Sequence, residues 1–546
     1  LLPADTCDGR RAFYSGVKRK PWCVLGACTE ERHYRHMTEV TACNFESLAP
    51  EIEAAIAGAA FVAIDTEFTG LVSGPDATPS LFDSIEERYA KLRHTVTNYY
   101  VCQLGICTFT QVPGENVYTA KAFTVYLCPR AFGSVDPEFS VQASSVEFLC
   151  RNGFDFNKCF YGGVPYANRS FRRALDAYLL NEQYLEKPGL SKLYDSVRHW
   201  LNNNDRSKGS SDNSLTLSPH DDLSIPVLMV DLRTRFPGLE FDVKPEGLRV
   251  TLPPNCAPTK VATDGRAPTE AELVDAVRGF SRCFETLVSS GKPIVGHNML
   301  LDLLMLYNQF CEPLPPTFAE LKAALSAVFP LVYDTKHMSL QIRQTSKWMK
   351  TVLSGADLFS VHKALTDVLV PYAPIVKGAP AGLRAHEAGS DAYAAGCVFI
   401  KLAHILAHLA LQPTHHLSWR HHQEAVKAYA NRVNLIRAQY HHINLSNDVD
   451  RIIETRPPLL CIRSAERSQV ELQTVLARCG TVDVRSLSRQ CLLVAVGNFA
   501  CARDIVEAFR DDPSVKVIKY CPWKHITRLM ERKRCFGCFQ QLCCSI

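Results

Sequence analysis

A chain of 546 residues is long for one hydrophobic core and sets an expectation of roughly two to four domains. Its 47% apolar and 21% charged content is that of an ordinary soluble globular protein. A net charge of +4 excludes wholesale electrostatic binding of nucleic acid, which would need local basic patches. The 22 cysteines are scattered and form no short disulfide framework, and no secretory signal opens the chain, so they read as reduced thiols of an intracellular protein.

Residues 1–36 show no sustained helical or strand period and read as upstream or variable sequence, with Met37 the expected natural start. A helix pattern from Phe45 to Ala57 leads into a strand in "FVAIDTEFTG", Phe61 to Gly70. "YYVCQLGICTF" and "FTVYLCPRAF" read as further strands of the same sheet, which completes a first segment over 37–166. The texture changes over 167–260, with a helix at "LSKLYDSVRHWL", a polar, low-complexity loop at 202–214 expected to be disordered, a helix at "LSIPVLMVDLRTRF" and a hairpin-like "LEFDVKPEGLRVTL". This is the pattern of a small α/β module inserted into a larger domain.

The larger domain resumes over 261–445, with one helix expected over "EAELVDAVRGFSRCFETLVSS", a strand at "KPIVG" and a helix at "HNMLLDLLMLYNQF". Strands alternating with helices argue for an α/β sheet. Residues 456–525 read β-α-β-β-α-β, an RRM-like α+β order, although the central strands lack the aromatics on which such domains stack bases. A basic and Cys-rich tail, 526–546, ends in a run too short for a bilayer, which needs about 20 apolar residues. It reads as a frayed terminus in preference to a truncated or palmitoylated anchor, and Cys535 with Cys538 make only half a zinc site. No repeat is visible, and no hydrophobic run is long enough to cross a membrane.

Three places carry acids that an apolar setting makes costly. Asp65 and Glu67 stand two apart on a strand and so point the same way, repelling one another where burial penalises charge. Asp302 is the lone charge among Met299, Leu300, Leu301, Leu303 and Leu304; its ordinary alternative is an ion pair with an arginine. In "RAHEAGSDAYAAGCVFIKLAHIL", His386 stands five residues before Asp391 at the start of a long apolar helix. Glu387 there fits a simple answer to the helix dipole, whereas Asp391 is expected more than a turn inside.

Four carboxylates and one histidine suit hard cations such as Mg²⁺ or Mn²⁺ and do not make a zinc site. Two such ions ~3.5–4 Å apart form the clamp used for in-line attack on a phosphodiester, and a histidine can take the proton from the attacking water. A cation between them is what makes "DTE" tolerable.

In this order "DTEF", "GHNMLLD" and "HEAGSDA" resemble the three exonuclease motifs of the DEDDh nucleases, in the branch that contains poly(A)-specific ribonuclease. The likeness runs from about Met37 to the end of the C-terminal domain. Carried over position by position, Asp65 and Glu67 match the first motif, Asp302 the second, and His386 with Asp391 the third. The resemblance implies an RNase H-like (DEDD exonuclease) catalytic domain and a 3′→5′ exoribonuclease that hydrolyses a single-stranded RNA 3′ end with two Mg²⁺ ions, Mn²⁺ being an acceptable substitute. "DTK", Asp334 to Lys336, matches a family stretch in which a strand end carries an acid near the site, and takes a supporting role.

Within the branch, "EFSVQASSVEFLCRNGFDFNKCFYGGVPY", "RVNLIRAQYHHINLS" and "RPPLL" are similar to the Trimmer-type, PARN-like group. That likeness implies shortening of piRNA precursors held by a PIWI protein, at the mitochondrial surface, with a Tudor-domain partner. The group carries a C-terminal membrane segment, whereas this tail ends after "LCCSI" without a full span, so membrane association stays open, as does the choice among cytoplasm, mitochondrial outer surface and nucleus. Dimers occur in the wider branch, and a homodimer is compatible with this sequence.

Two features depart from poly(A)-specific ribonuclease. The inserted module lacks the Arg-x₃-His motif, and where a cap-stacking Trp is expected "VDVRSLS" offers only Arg485 and Ser486. Packing or protein docking is therefore at least as good a role for the last domain as RNA binding. A deadenylase of mRNA tails is the second functional reading, and a catalytically idle RNA-binding scaffold the third. "RSFRR" and "ERKR" could meet phosphates but read first as solvated charge, the histidines of "HILAHLALQPTHHLSWRHHQ" read as a solvated helix, and Tyr89, Tyr99 and Tyr100 read as packing before base stacking.

Overall fold

In the computed structural model, residues 37–131, 136–173, 188–203, 214–218, 225–244, 246–253, 265–368, 370–446 and 456–521 are described. Seven strands form the main sheet: β1 (Thr38–Val40), β2 (Phe61–Phe68), β3 (Val101–Gln111), β4 (Val117–Tyr126), β5 (Ile294–Gly296), β6 (Val332–Asp334) and β7 (Ile375–Lys377). Their order is β1-β4-β3-β2-β5-β6, with β7 also on β4. β2, β3 and β4 run antiparallel to their neighbours in turn, while β2, β5 and β6 run parallel. Parallel neighbours need crossover connections, and the helices that supply them cover both faces. This is the RNase H-like α/β arrangement expected from the motifs.

Alternation along β2 decides which way its acids point. Val62 and Ile64 pack into a core with the helices Phe45–Gly58, Leu300–Phe310 and Phe318–Val328. Phe61 and Ala63 pack on the other face, against Thr335–Ile342, Leu358–Asp367 and Ala388–Leu411. By the same period Asp65 and Glu67 fall on the second face and Thr66 on the first. The Ala388–Leu411 helix is 24 residues long and apolar enough to cross a bilayer, contrary to the expectation of no such run. Most of it is buried across the sheet, so its all-round apolarity is that of a central core helix.

The single helix expected over 270–290 is two, Glu270–Arg278 and Ser281–Ser289. At the break the Phe280 N–H donates to the Pro165 carbonyl at 2.9 Å. A Cβ on Gly279, whose φ is 46°, would lie 2.0 Å from that same oxygen. A distant backbone crossing thus breaks the helix, and only glycine fits there.

The inserted segment has its own core. Helices Pro188–Asn203 and Ile225–Arg235 pack Val197, Leu228 and Leu232 against Leu248 and Val250 of the expected hairpin, and Leu273 and Val277 of the following helix join them. A third strand, Ser214–Leu217, pairs with Gly247–Thr251 beside Glu240–Lys244. Within the loop expected over 202–214, Asn202 and Asn203 finish a helix and Ser214 begins this strand, while 204–213 lie outside the described residues.

Strands Leu460–Ser464, Val482–Ser488, Cys491–Val496 and Val515–Lys519 form an antiparallel sheet with helices Gln469–Arg478 and Phe499–Ala508 between them. This is the βαββαβ order expected of an RRM-like unit. One sheet face holds the core; the other docks on the nuclease domain through Leu493 and Ala495, which pack with Leu459 and Tyr520 against Leu81 and Phe82. Asp483 accepts the Leu81 N–H at 2.6 Å and pairs with Arg437 at 2.5 Å, while the Arg485 guanidinium lies 4.4 Å from the Phe82 ring centroid. The segment 1–36 and the tail 526–546, with Cys535 and Cys538, lie outside the described residues.

Candidate active site

The five residues singled out in the sequence meet at one end of β2. Asp65 and Glu67 come from the strand, Asp302 from the first turn of Leu300–Phe310, and Asp391 from the first turn of Ala388–Leu411. His386 lies just before the last helix, exposed and at φ 63°, in the left-handed region that a histidine seldom adopts. The expected position of Asp391, more than a turn inside its helix, is corrected: His386 and Glu387 have non-helical backbones, so the helix begins at Ala388. A dipole contribution therefore applies to Asp391 too.

Glu67, Asp302 and Asp391 are each no more than 9% exposed. The Thr66 hydroxyl donates to Asp302 Oδ1 at 2.5 Å. Asp391 Oδ2 accepts the His386 N–H at 3.2 Å, but Oδ1 is buried with no hydrogen-bond partner among the described residues. Charge crowding follows. Burial and the nearby Asp391 and Asp302 push Glu67 up to about 8, and burial with the Asp391, Asp302 and Glu67 charges holds Asp65 well above the usual carboxylate range. Burial likewise raises Asp391 to about 7 and Asp302 to about 6, the latter held back by the Thr66 hydroxyl.

A cation is the natural complement. One ligand atom each from Glu67, His386 and Asp391 lies within 4.8 Å of the others, a spacing that could hold a metal ion. An orphaned carboxylate oxygen among acids that cannot all ionise unaided fits a divalent cation, and the predominance of oxygen donors favours a hard one.

Several supporting side chains escaped the sequence reading. Gly105 pairs with Asp65 across the β2–β3 ladder, and the Gln103 Oε1 accepts the Ala388 N–H at 2.9 Å, seating the start of the Asp391 helix on the strand. Glu387 accepts from the hydroxyls of Thr124 at 2.7 Å and Ser390 at 2.5 Å. Phe148, 44% exposed, meets the His386 ring edge-on at 4.6 Å. A small residue opposite an acid and a polar residue inside an apolar strand were the available signals.

Asp334 stands apart from the cluster as an organiser. Fully buried, its carboxylate accepts the N–H groups of Asn298 (3.0 Å), Met299 (3.2 Å), Lys336 (2.9 Å), His337 (3.2 Å) and Asn434 (3.0 Å), which fixes two helix starts at once.

Other candidates resolve as packing. Arg172 pairs with Glu285, and Arg173 with Glu312. Tyr89 and Tyr100 are buried, and the Tyr89 hydroxyl donates to the Pro315 carbonyl at 2.5 Å. Of the expected solvated histidines, His415, His416 and His421 are exposed, but two are corrected: His404 and His422 are buried against each other, Nδ1 to Nε2 at 3.2 Å, with the Tyr118 hydroxyl on His422 Nδ1. The apolar core helix Ala388–Leu411 carries His404 inward, and the short helix Trp419–Val426 packed beside it carries His422.

This fold, with four acids converging at a strand end, defines a DEDD-type 3′→5′ exoribonuclease. The family model described as CAF1 family ribonuclease matches residues 40–399, and the chain belongs to that family. It is 31% identical over 514 residues to the poly(A)-specific ribonuclease PNLDC1 of Mus musculus, covering 89% of this chain and 94% of that protein. It is 28% identical over 508 residues to the pre-piRNA 3′-exonuclease trimmer of Bombyx mori, again 89% and 94%. Poly(A)-specific ribonuclease PARN of Danio rerio is 31% identical over 438 residues, 73% of this chain and 64% of that protein.

Proposed function

We propose that this exoribonuclease trims the 3′ ends of small-RNA (piRNA) precursors, with two Mg²⁺ ions, or Mn²⁺, held by Asp65, Glu67, Asp302 and Asp391. The Asp391 Oδ1, without a partner among the described residues and set within the acid cluster, carries the metal reading. Bound there, the ions supply charge neutralisation for the phosphodiester and make water acidic enough to attack at neutral pH. His386, at the exposed rim, takes the proton of the attacking water on its imidazole, and Phe148 restricts the swing of that ring. Thr66 holds Asp302 in place, and a 5′-nucleotide leaves.

Trimming ranks first because the likeness to the Bombyx mori trimmer takes in 94% of that protein, against 64% of PARN, and because the sheet face on which an RRM would stack bases is engaged by Leu81 and Phe82. A PIWI protein that presents the 3′ end and a Tudor-domain adaptor are the partners this reading brings. Deadenylation is the second reading, favoured by relatives named poly(A)-specific ribonucleases. The test is Mg²⁺-dependent degradation of 5′-labelled RNAs ending in oligo(A) or mixed sequence, each free and PIWI-loaded. Ladders on both sequences, strongest on loaded RNA and stopping at the protein's footprint, support trimming. Ladders confined to oligo(A) put deadenylation first, and silence on every RNA, with fold and metal verified, leaves a scaffold.

A further inference from the structure

Beyond the C-terminal end of β2, a cavity of about 200 Å³ opens between the N-terminal end of β3, the segment Pro137–Phe139, residues 166–171 and the later turns of the Leu300–Phe310 helix. We propose that it receives one nucleobase of the RNA, unstacked from its neighbours and upstream of the 3′ end. The proposal rests on the exoribonuclease reading above.

Size, lining and place each point that way. The volume is well below the roughly 300–1,000 Å³ of sites for drug-sized ligands and suits a single planar ring system. Phe139, Tyr166 and Phe171 supply aromatic walls, of which Phe139 is 39% exposed and stands edge-on to Tyr100 at 4.5 Å. Stacking on such rings is how proteins hold single-stranded bases whatever their identity.

Three amides add polar handles. Asn168 Oδ1 accepts the Phe171 N–H at 2.8 Å and Asn308 Oδ1 that of Leu314 at 3.3 Å, which leaves both Nδ2 donors without a protein partner among the described residues. Asn98 Nδ2 is committed to Ser73 and the His94 carbonyl, which leaves its Oδ1 as an acceptor. Two donors and an acceptor match the mixed edge of a base. Among the described residues the lining contains no Lys or Arg and a single charged residue, Glu138, so a phosphate would be poorly held.

The cavity also lies at nucleotide spacing from the acids. Asn308 follows Asp302 by six positions on one helix, which is about 9 Å of rise, a span of at most two to three nucleotides at the stacked rise of ~3.4 Å and of fewer where the strand unstacks. The base held there is therefore expected about three nucleotides from the 3′ end.

The test uses the full chain carrying Asp302→Asn, so that RNA binds without being consumed, with 4-thiouridine placed singly at each of the last six positions. Irradiation is expected to link one position, about the third, to the peptide of Pro137–Phe139 or of Met305–Gln309. In the otherwise unaltered enzyme, Asn308→Leu and Phe139→Ala are each expected to raise KM about tenfold while kcat stays within about twofold. Cross-links confined to the surroundings of Glu67 and Phe148, with KM unmoved in both variants, would overturn the cavity site and leave the exoribonuclease standing. An unaltered protein that degrades no RNA would instead remove the reading on which the proposal rests.

Discussion

Asp65 faces Gly105 across the β2–β3 ladder, and a Cβ at position 105 would sit 1.9 Å from the Ala388 carbonyl oxygen. The first turn that carries Asp391 therefore rests directly on the strand opposite Asp65. Gly105→Ala must push that turn outward, because the obstructing atom is backbone and cannot swing aside. A misplacement on the order of 1 Å costs about 100-fold in turnover, and overpacking adds about 1–3 kcal/mol of destabilisation. Steady-state kinetics and thermal unfolding of this variant check both.

Asp391→Asn separates catalysis from stability. Turnover is expected to fall on the order of a thousandfold, since the ligand and charge proposed for the cation are lost. Without metal the same variant is expected to be more stable than the parent by about 1–3 kcal/mol at pH 8, because one member of a repelling cluster is neutral. Denaturant melts in EDTA measure this; a less stable variant would contradict the crowding described for the site.

The same crowding predicts a pH profile. Glu67, Asp391 and Asp302 titrate at about 8, 7 and 6, above the ordinary carboxylate values of about 4. Their folded-state pKa values are raised, so the stability they contribute is fully present below about pH 4 and is lost as pH climbs through 6 to 8. Metal-free protein should therefore lose melting temperature across that window. Mg²⁺ should restore it, and restore more at pH 8 than at pH 6; a metal effect independent of pH would argue against these acids as ligands.

On the acid side the sign reverses. Burial first, with nearby positive charge, lowers His297 to about 4 and His337 and His422 to about 3. Depressed values contribute stability that is present above the unfolded pKa of about 6.5 and is lost as pH falls toward 3–4, by up to about 1.4 kcal/mol per unit for each histidine. His422→Phe should flatten this limb in melts between pH 6.5 and 4, provided the ring still packs beside Tyr118.

Asp483→Asn tests the docked sheet. It keeps the Leu81 contact but removes the charge facing Arg437, a half-exposed pair worth at most about 1 kcal/mol. Unfolding should therefore change little, whereas Leu493→Asp, which drives a charge into the Leu81–Phe82 contact, should detach the module and enlarge the particle in small-angle scattering.

The site was more legible than its supports. Asp65 and Glu67 declare themselves through the strand period, and Asp302 and Asp391 through charge in apolar helices, because these are local contrasts. Gly105, Gln103 and Thr66 matter only for what crosses them in space, and no local pattern reports that. The break at Gly279 has the same origin, since the Pro165 carbonyl that makes it belongs to another part of the chain. The polarity of His404 and His422 suggested water, while the long core helix turns His404 inward and the Trp419–Val426 helix packed on it turns His422 inward.

The parallel pairing of β2 with β5 spans the whole inserted segment, and Asp391 comes later still. A growing polypeptide can fold the β2–β3–β4 meander early, yet it holds only two of the four acids until the Leu300–Phe310 helix has emerged, and all four only after the Ala388–Leu411 helix has followed. A half-made copy of this nuclease therefore carries an incomplete acid cluster, which is finished only when the Ala388–Leu411 helix packs on the sheet.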